Sequence, residues 1–228
     1  MRVKYQKIKE IVEKELLGAD PVHDASHVAR VYNLSLKLAN REKGVDLDVI
    51  KLAALLHDIG GVKELEDKSG KTDHAEESAK MAFLILKQLK YPKEKIKKII
   101  HCILAHRYRT GRLKPKTKEA KILFDADKLD ALGAIGIARA YAWIGRNNAK
   151  LYSDISLKEY IKNNIVGKKI NGRIKDKTKH SPFIEFELKL KHLPQKLYTV
   201  KAKTLAKQRL ALMEYFFDIL KQEIKGKK

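Results

Sequence analysis

Residues 52–60 read Leu52-Ala53-Ala54-Leu55-Leu56-His57-Asp58-Ile59-Gly60. Together with Leu47 to Lys51 they predict one helix over 47–59, closed by the Gly60-Gly61 pair. His57 falls on the same helical face as Ile50, Ala53 and Ala54, so a titratable ring occupies an inward position on an apolar stripe. A lone buried histidine is usually a hydrogen-bonded core residue. A buried carboxylate beside it is expensive unless it is paired or holds a metal.

Working outward, the rest of the chain repeats the helical period. Ile8, Ile11, Val12 and Leu16 predict a first helix over 4–17. Asp24 suits an N-cap for a second helix over 25–43, stopped by Gly44. After 47–59 the polar run VKELEDKSGKT, residues 62–72, reads as a loop. Helices follow over 73–90, 93–108, 116–132, 134–147, 157–165 and 194–224, while the basic stretch 166–180 reads as a mobile excursion. No internal repeat or strand series appears. The expectation is an all-α, single-domain helical bundle, with its motif core over about 21–145 and a basic helical extension over about 151–228.

Composition narrows the class of protein. The 228 residues carry 50 Lys and Arg against 28 Asp and Glu, a formal net charge of +22. Residues 151–228, a third of the chain, carry half of that excess. Such a surface attracts nucleic acid or small anionic substrates, yet it lacks the aromatic series that single-strand binders stack against bases. Hydrophobic residues make up 44%, which excludes wholesale disorder. The single cysteine, Cys102, cannot form an internal disulfide and points to a reducing compartment. No apolar run spans a bilayer and the start has no apolar core of a targeting signal, so a cytoplasmic protein is expected.

Six of the eight histidines fall in five short segments: His23 to Val31, Leu55 to Gly60, Asp73-His74, His101 to His106, and Asp125 to Ala131. His27 shares a face with Val31, Leu34 and Leu38. His106 follows Ile99 and Ile103, and Asp127 follows Ala120, Leu123 and Phe124. Four inward His and Asp residues on separate helices would converge in a bundle core, where helical proteins build metal sites. Neutral imidazole with carboxylate suits divalent Mn, Fe, Co, Ni or Zn. The helix bearing Asp127 has a second apolar face through Ile122, Ala126 and Leu129, so Asp125 stays a competitor for the ligand role. His101 lies off the Ile99-Ile103-His106 face and reads as a surface residue.

These segments resemble the HD-domain superfamily of metal-dependent phosphohydrolases. DASHVARV resembles its first motif, LAALLHDIG its His-Asp doublet, and FDADKLDALGAIGIARA the last motif of its small YedJ/YpgQ-like branch. The closing FIEFELKLKHLPQKL and AKQRLALMEYFFDIL are similar to that branch as well. The resemblance covers the chain from about Pro21 and implies His27, His57, Asp58 and Asp127 as metal ligands. In related proteins with two ions, His74 and His106 correspond to two further ligands and Asp58 bridges. One divalent ion (Mn, Fe, Co, Ni, Zn or Mg) is therefore expected, with a second if those histidines take part.

One departure bears on catalysis. Many relatives with a single ion carry an acidic residue three or four places after the doublet, where this chain has Gly61 and Val62. Glu64 or Asp67 would then supply it. Asp58, Lys63 and Glu64 are thus the catalytic candidates. Lys63, Arg30, Lys128 and Arg139 are the candidates for binding substrate phosphate, with Arg107 and Arg109 beside them. Asp130 would orient a ligand or cap the turn at Gly133. The implied substrate is a nucleotide: a triphosphate losing pyrophosphate, a monophosphate losing phosphate, or a phosphodiester. A nucleic-acid-binding protein with a relic or sensory metal site is the alternative. Apolar positions Leu205, Leu210, Met213, Phe216, Phe217 and Leu220 on the last helix suit a core or a second copy, leaving monomer and homodimer open.

Overall fold

The computed structural model describes residues 2–20, 22–69, 71–107, 113–168 and 172–228. The chain packs as two compact units, Met1–Asp127 and Lys128–Lys228. Both are helical, and among the described residues the only β pairing is one isolated bridge between Ile165 and Ile174.

The first unit is organised around α3 (Leu47–Leu56), which is apolar on every side. Val49, Ile50, Leu52, Ala53, Ala54, Leu55 and Leu56 are all buried, as expected of a central helix. Burying Ile50, Leu52 or Leu56 stabilises the unit by about 1.5–3 kcal/mol each. Around it lie α1 (Arg2–Glu15), α2 (Ala25–Ala39), α5 (His74–Gln88) and α6 (Lys93–Ala105). Aspartates fix where three of these helices begin. Asp24 accepts from His27 N, Asp46 from Asp48 N and Val49 N, and Asp73 from Ala75 N and Glu76 N. Each such cap contributes about 1 kcal/mol, and each also sets the axial position of a functional residue within one turn or at the far end.

The short α4 (Gly61–Glu66) corrects the loop expected over 62–72. The Gly60-Gly61 pair reads as a terminator, but Gly60 is needed for close approach rather than for a break. A Cβ there would stand 2.6 Å from Ser78 N on α5, and Gly60 N donates to Ser78 Oγ at 2.9 Å. Helix α3 does stop before the pair, at Leu56, and a new short helix starts at Gly61. The remainder of the stretch is a turn wound on Asp67, whose carboxylate accepts from Ser69 N, Lys71 N and Thr72 N.

Helix α7 (Lys118–Leu129) carries the chain from the first unit into the second, which holds α8 (Gly133–Arg146), α9 (Leu157–Asn164), α10 (Pro182–Leu188) and α11 (Val200–Ile224). Three differences from the sequence reading arise here. Helix α10 has the Ser-Pro start that favours an N-terminus, with Ser181 accepting from Ile184 N. The single helix expected over 194–224 divides into a 3-10 segment, Leu190–Lys196, and α11, which restarts at a Thr199 cap. The described part of 166–180 is tied down rather than free. Asn164 Nδ2 donates to Asp176 O and Asn164 Oδ1 accepts from Asp176 N, both at 2.9 Å. Tyr160, Ile165, Ile184 and Leu188 form a buried cluster beneath it. On α11, Met213 and Phe217 are buried, whereas Leu212 and Tyr215 are exposed. No helix among the described residues is long and apolar enough to cross a membrane.

Candidate metal centre

His57 is the C-cap of α3 and His106 the C-cap of α6. The last carbonyls of a helix lack intrahelical donors, and both histidines use this in the same way. His57 Nδ1 donates to Ala54 O at 2.8 Å and His106 Nδ1 to Ile103 O at 2.5 Å. A neutral imidazole has one N–H, so these bonds assign the proton to Nδ1 and leave Nε2 as a lone pair. His74, the first residue of α5, reaches the same state differently, its Nδ1 lying 2.7 Å from Glu64 Oε2. Three Nε2 lone pairs thus point into one buried region. His27, in the first turn of α2, brings a fourth Nε2 into it.

Asp58 lies at the centre, almost wholly buried, and its two oxygens face different partners. Oδ2 is 3.4 Å from His27 Nε2 and 3.6 Å from His57 Nε2. Oδ1 is 3.3 Å from His106 Nε2 and 3.6 Å from His74 Nε2. Asp127 Oδ1 closes the first side, 3.6 Å from His27 Nε2. The donors fall into two groups, His27-His57-Asp127 and Asp58-His74-His106, each with its ligand atoms within 4.8 Å of one another. Asp125 is fully buried and belongs to neither group.

The donor set fits divalent ions. His57 Nε2 and Asp58 Oδ1 are buried without a hydrogen-bond partner, a costly state unless a cation takes the lone pairs. His74 Nε2 and His106 Nε2 stand 3.2 Å apart with no proton assigned to the gap in the neutral tautomers. Donor spacings of 3.3–3.6 Å match those that metal–ligand bonds of about 2.0–2.2 Å produce around one ion. Electrostatics agree. Burial pushes His57 down to about 4, so it is neutral and able to ligate near pH 7. Burial pushes the Asp58 carboxyl up, but the surrounding imidazoles, His57 first, outweigh it and hold it well below the usual range. Burial likewise opposes ionisation of Glu64, yet His74 and Arg107 bring it down to about 2.

The remaining candidates are placed as follows. Glu64 is held by His74 and by Arg107 Nη2 at 2.7 Å. Asp67 is exposed and engaged in its own turn, and the bond from Ser69 lowers its pKa. Lys63 is half-exposed, 3.5 Å from Glu77. Arg30 donates to Ser26 Oγ at 2.8 Å, and that hydroxyl donates to Asp24. Lys128 and Arg139 belong to the second unit, where Arg139 pairs with the buried Asp130 at 2.7 Å. His101 stands apart and accepts from Lys116 N. Cys102 is buried, which pushes its thiol up to about 12 and leaves it a poor ligand. Arg109 lies outside the described residues. The sequence reading missed the role of the two helix-end carbonyls and the placement of Arg107. Asp73 was visible beside His74, and its capping chemistry was the available signal.

Comparison with known proteins agrees with this geometry. The HD domain family matches residues 24–132. The chain is 30% identical over 224 residues to YpgQ of Bacillus subtilis, a protein described as uncharacterized, covering 97% of this chain and 94% of that one. A structure of B. subtilis YpgQ in complex with ADP superposes with a TM-score of 0.70 at 26% identity, covering 98% of this chain and all of the other. An HD-superfamily hydrolase of Bacillus thuringiensis superposes with a TM-score of 0.69 at 26% identity, covering 98% of each chain. The paired histidine groups around Asp58 and the match along nearly the whole length lead to one conclusion: this chain belongs to the HD-domain family of hydrolases, in its YpgQ-like branch.

Proposed function

We propose that the chain is a metal-dependent phosphohydrolase of nucleotides, with a nucleoside triphosphate losing pyrophosphate as the first candidate substrate. The observation that carries this reading is the Asp58 carboxylate, whose two oxygens face two separate histidine groups. His27, His57, Asp58 and Asp127 would hold one ion, and Asp58, His74 and His106 a second. Bound there, divalent ions would supply a water of lowered pKa and neutralise charge on the phosphoryl oxygens.

The chain's own residues do the rest. His57 and His106 keep their protons on Nδ1 through helix-end carbonyls, so both present a lone pair without rearrangement. Glu64, ionised near neutral pH, acts on His74 by holding its Nδ1 proton and is ill suited to donate one itself. Lys63, half-exposed beside it and 3.5 Å from Glu77, binds substrate phosphate by exchanging that surface pair for the anion. Arg30, one turn from His27 on α2, is a further phosphate contact. The ADP bound to YpgQ and the net charge of +22 favour an anionic nucleotide over a neutral substrate.

The test is a panel of nucleotides with added Mn, Co, Ni, Mg or Zn, in which phosphate and pyrophosphate are assayed separately. The wild type runs beside the double variant His57→Ala, Asp58→Ala. Hydrolysis is expected to need metal and to fall more than about 1000-fold in the variant, beyond the ~10–100-fold typical of an outer partner. Absence of hydrolysis, with salt-dependent RNA or DNA binding that survives the double substitution, would replace this reading with the nucleic-acid one.

A further inference from the structure

The two donor groups differ in what stands behind them. His57 and His106 lean on backbone carbonyls. His74 leans on a carboxylate, and that carboxylate is itself held. Arg107 Nη2 donates to Glu64 Oε1 at 2.7 Å, while Arg107 Nη1 lies 2.7 Å from Asp73 Oδ1. Asp73 is the N-cap of α5 and fixes the position of His74. Arg107 directly follows His106, the other histidine of that group. One guanidinium thus joins α4, the start of α5 and the end of α6, the three places that position His74 and His106. All three charged side chains are at least two-thirds buried, so their pairing is less screened than a surface pair.

We infer that Arg107, with Glu64 and Asp73, is a positioning device that builds the second ion site and decides whether it fills. The inference rests on the two-ion reading above. Physically, Glu64 makes His74 Nε2 a stronger donor and fixes the ring plane, as outer carboxylates do behind ligating histidines. Arg107 holds Glu64 in that pose and draws α5 towards α6. Its planar fork can serve both carboxylates, whereas a lysine ammonium in its place offers a single point charge and cannot hold both in one geometry. The first group, His27-His57-Asp127, is positioned by α2, α3 and α7 instead, so its ion is expected to keep its affinity although both ions share Asp58.

The experiment counts ions. Wild type, Arg107→Ala, Arg107→Lys and Glu64→Gln are titrated with Mn, and bound metal per chain is measured by elemental analysis. Electron paramagnetic resonance separates a spin-coupled pair from an isolated ion. The wild type is expected to bind two ions and show the coupled signal. Arg107→Ala should weaken the second ion by about 10–100-fold, abolish coupling and leave the first ion unchanged, with Arg107→Lys recovering only part. Glu64→Gln keeps the size of the side chain and decides the matter if Arg107→Ala fails to fold. It too should lose the second ion selectively. Two ions of unchanged affinity in these variants would overturn the clamp while sparing the two-ion reading. Equal weakening of both ions would also overturn it. A wild type that holds a single ion would overturn the two-ion reading and the clamp together.

Discussion

Both units bury histidine beside carboxylate, and the two arrangements behave as opposites. In the second unit, His180 is buried with Nδ1 2.7 Å from the Tyr160 hydroxyl and Nε2 3.4 Å from Glu185. Glu185 in turn pairs with Lys189 at 2.8 Å, and Trp143 stands edge-on to the His180 ring. Both ring nitrogens have partners, and the cluster closes on itself. In the first unit Nδ1 of His57, His74 and His106 is satisfied, while His57 Nε2 and Asp58 Oδ1 are buried without hydrogen bonds. Burial of histidine therefore identifies nothing by itself. What separates a site from a core is whether the second nitrogen finds a protein partner or is aimed at other donors.

The contrast breaks most visibly in thermal melts with and without metal. Manganese at a hundredfold excess over its Kd should raise the Tm of the wild type by about 5–10 °C. His180→Ala should lower the Tm by roughly 5–15 °C, because the Tyr160 hydroxyl and Glu185 lose a buried partner, at about 2–4 kcal/mol. The rise on adding metal should persist in that variant. A metal response lost with His180 would mean that the two clusters are not separate in function.

Gly60→Ala sharpens the same comparison from the backbone side. The added Cβ would meet Ser78 N at 2.6 Å and must push α5 away from the end of α3. A stability cost of about 1–3 kcal/mol is expected, with a larger loss of metal affinity because His74 rides on α5. Denaturant unfolding beside Mn titration separates the two effects. Stability loss with unchanged metal affinity would show that the site tolerates the shift.

The smallest effect is in pH. Burial raises the Glu185 carboxyl, but Lys189 and His180 outweigh it and hold it well below the usual range. A depressed carboxylate contributes stability that is complete above its unfolded pKa and disappears as pH falls through the folded one. Glu185→Gln should therefore flatten the decline of Tm below about pH 4.5, the unfolded carboxylate range, and leave the neutral region nearly parallel to wild type. A decline as steep as that of the wild type would remove Glu185 from the acid response.

Much of the fold was legible in order. Asp24, Asp46 and Asp73 start helices as capping residues should, and the stripe of Ile50, Ala53, Ala54 and His57 gave the right face. The errors came where a local signal had a long-range cause. Gly60-Gly61 does follow the end of α3, but the glycine at 60 also answers to Ser78, eighteen residues away, and a new helix starts at Gly61. Ser181-Pro182 was a readable start left unused between the basic stretch 166–180 and the helix expected from 194. His27 and His57 were legible because each sits inward on its own helix, whereas periodicity left Asp125 in competition with Asp127 and the family resemblance made the choice. His74 lies at a helix start, where periodicity says little.

Sequence alone determined which side chains point inward, since helical period fixes direction relative to a helix's own axis. It also determined the charge and, through its motifs, the family resemblance. Only the tertiary structure decided that Asp58 divides its two oxygens between two histidine groups, that helix-end carbonyls set the tautomers, and that Arg107 locks Glu64 behind His74. Those facts depend on how α2, α3, α5, α6 and α7 approach one another. That approach is set by packing between residues far apart in the chain, which no local period encodes.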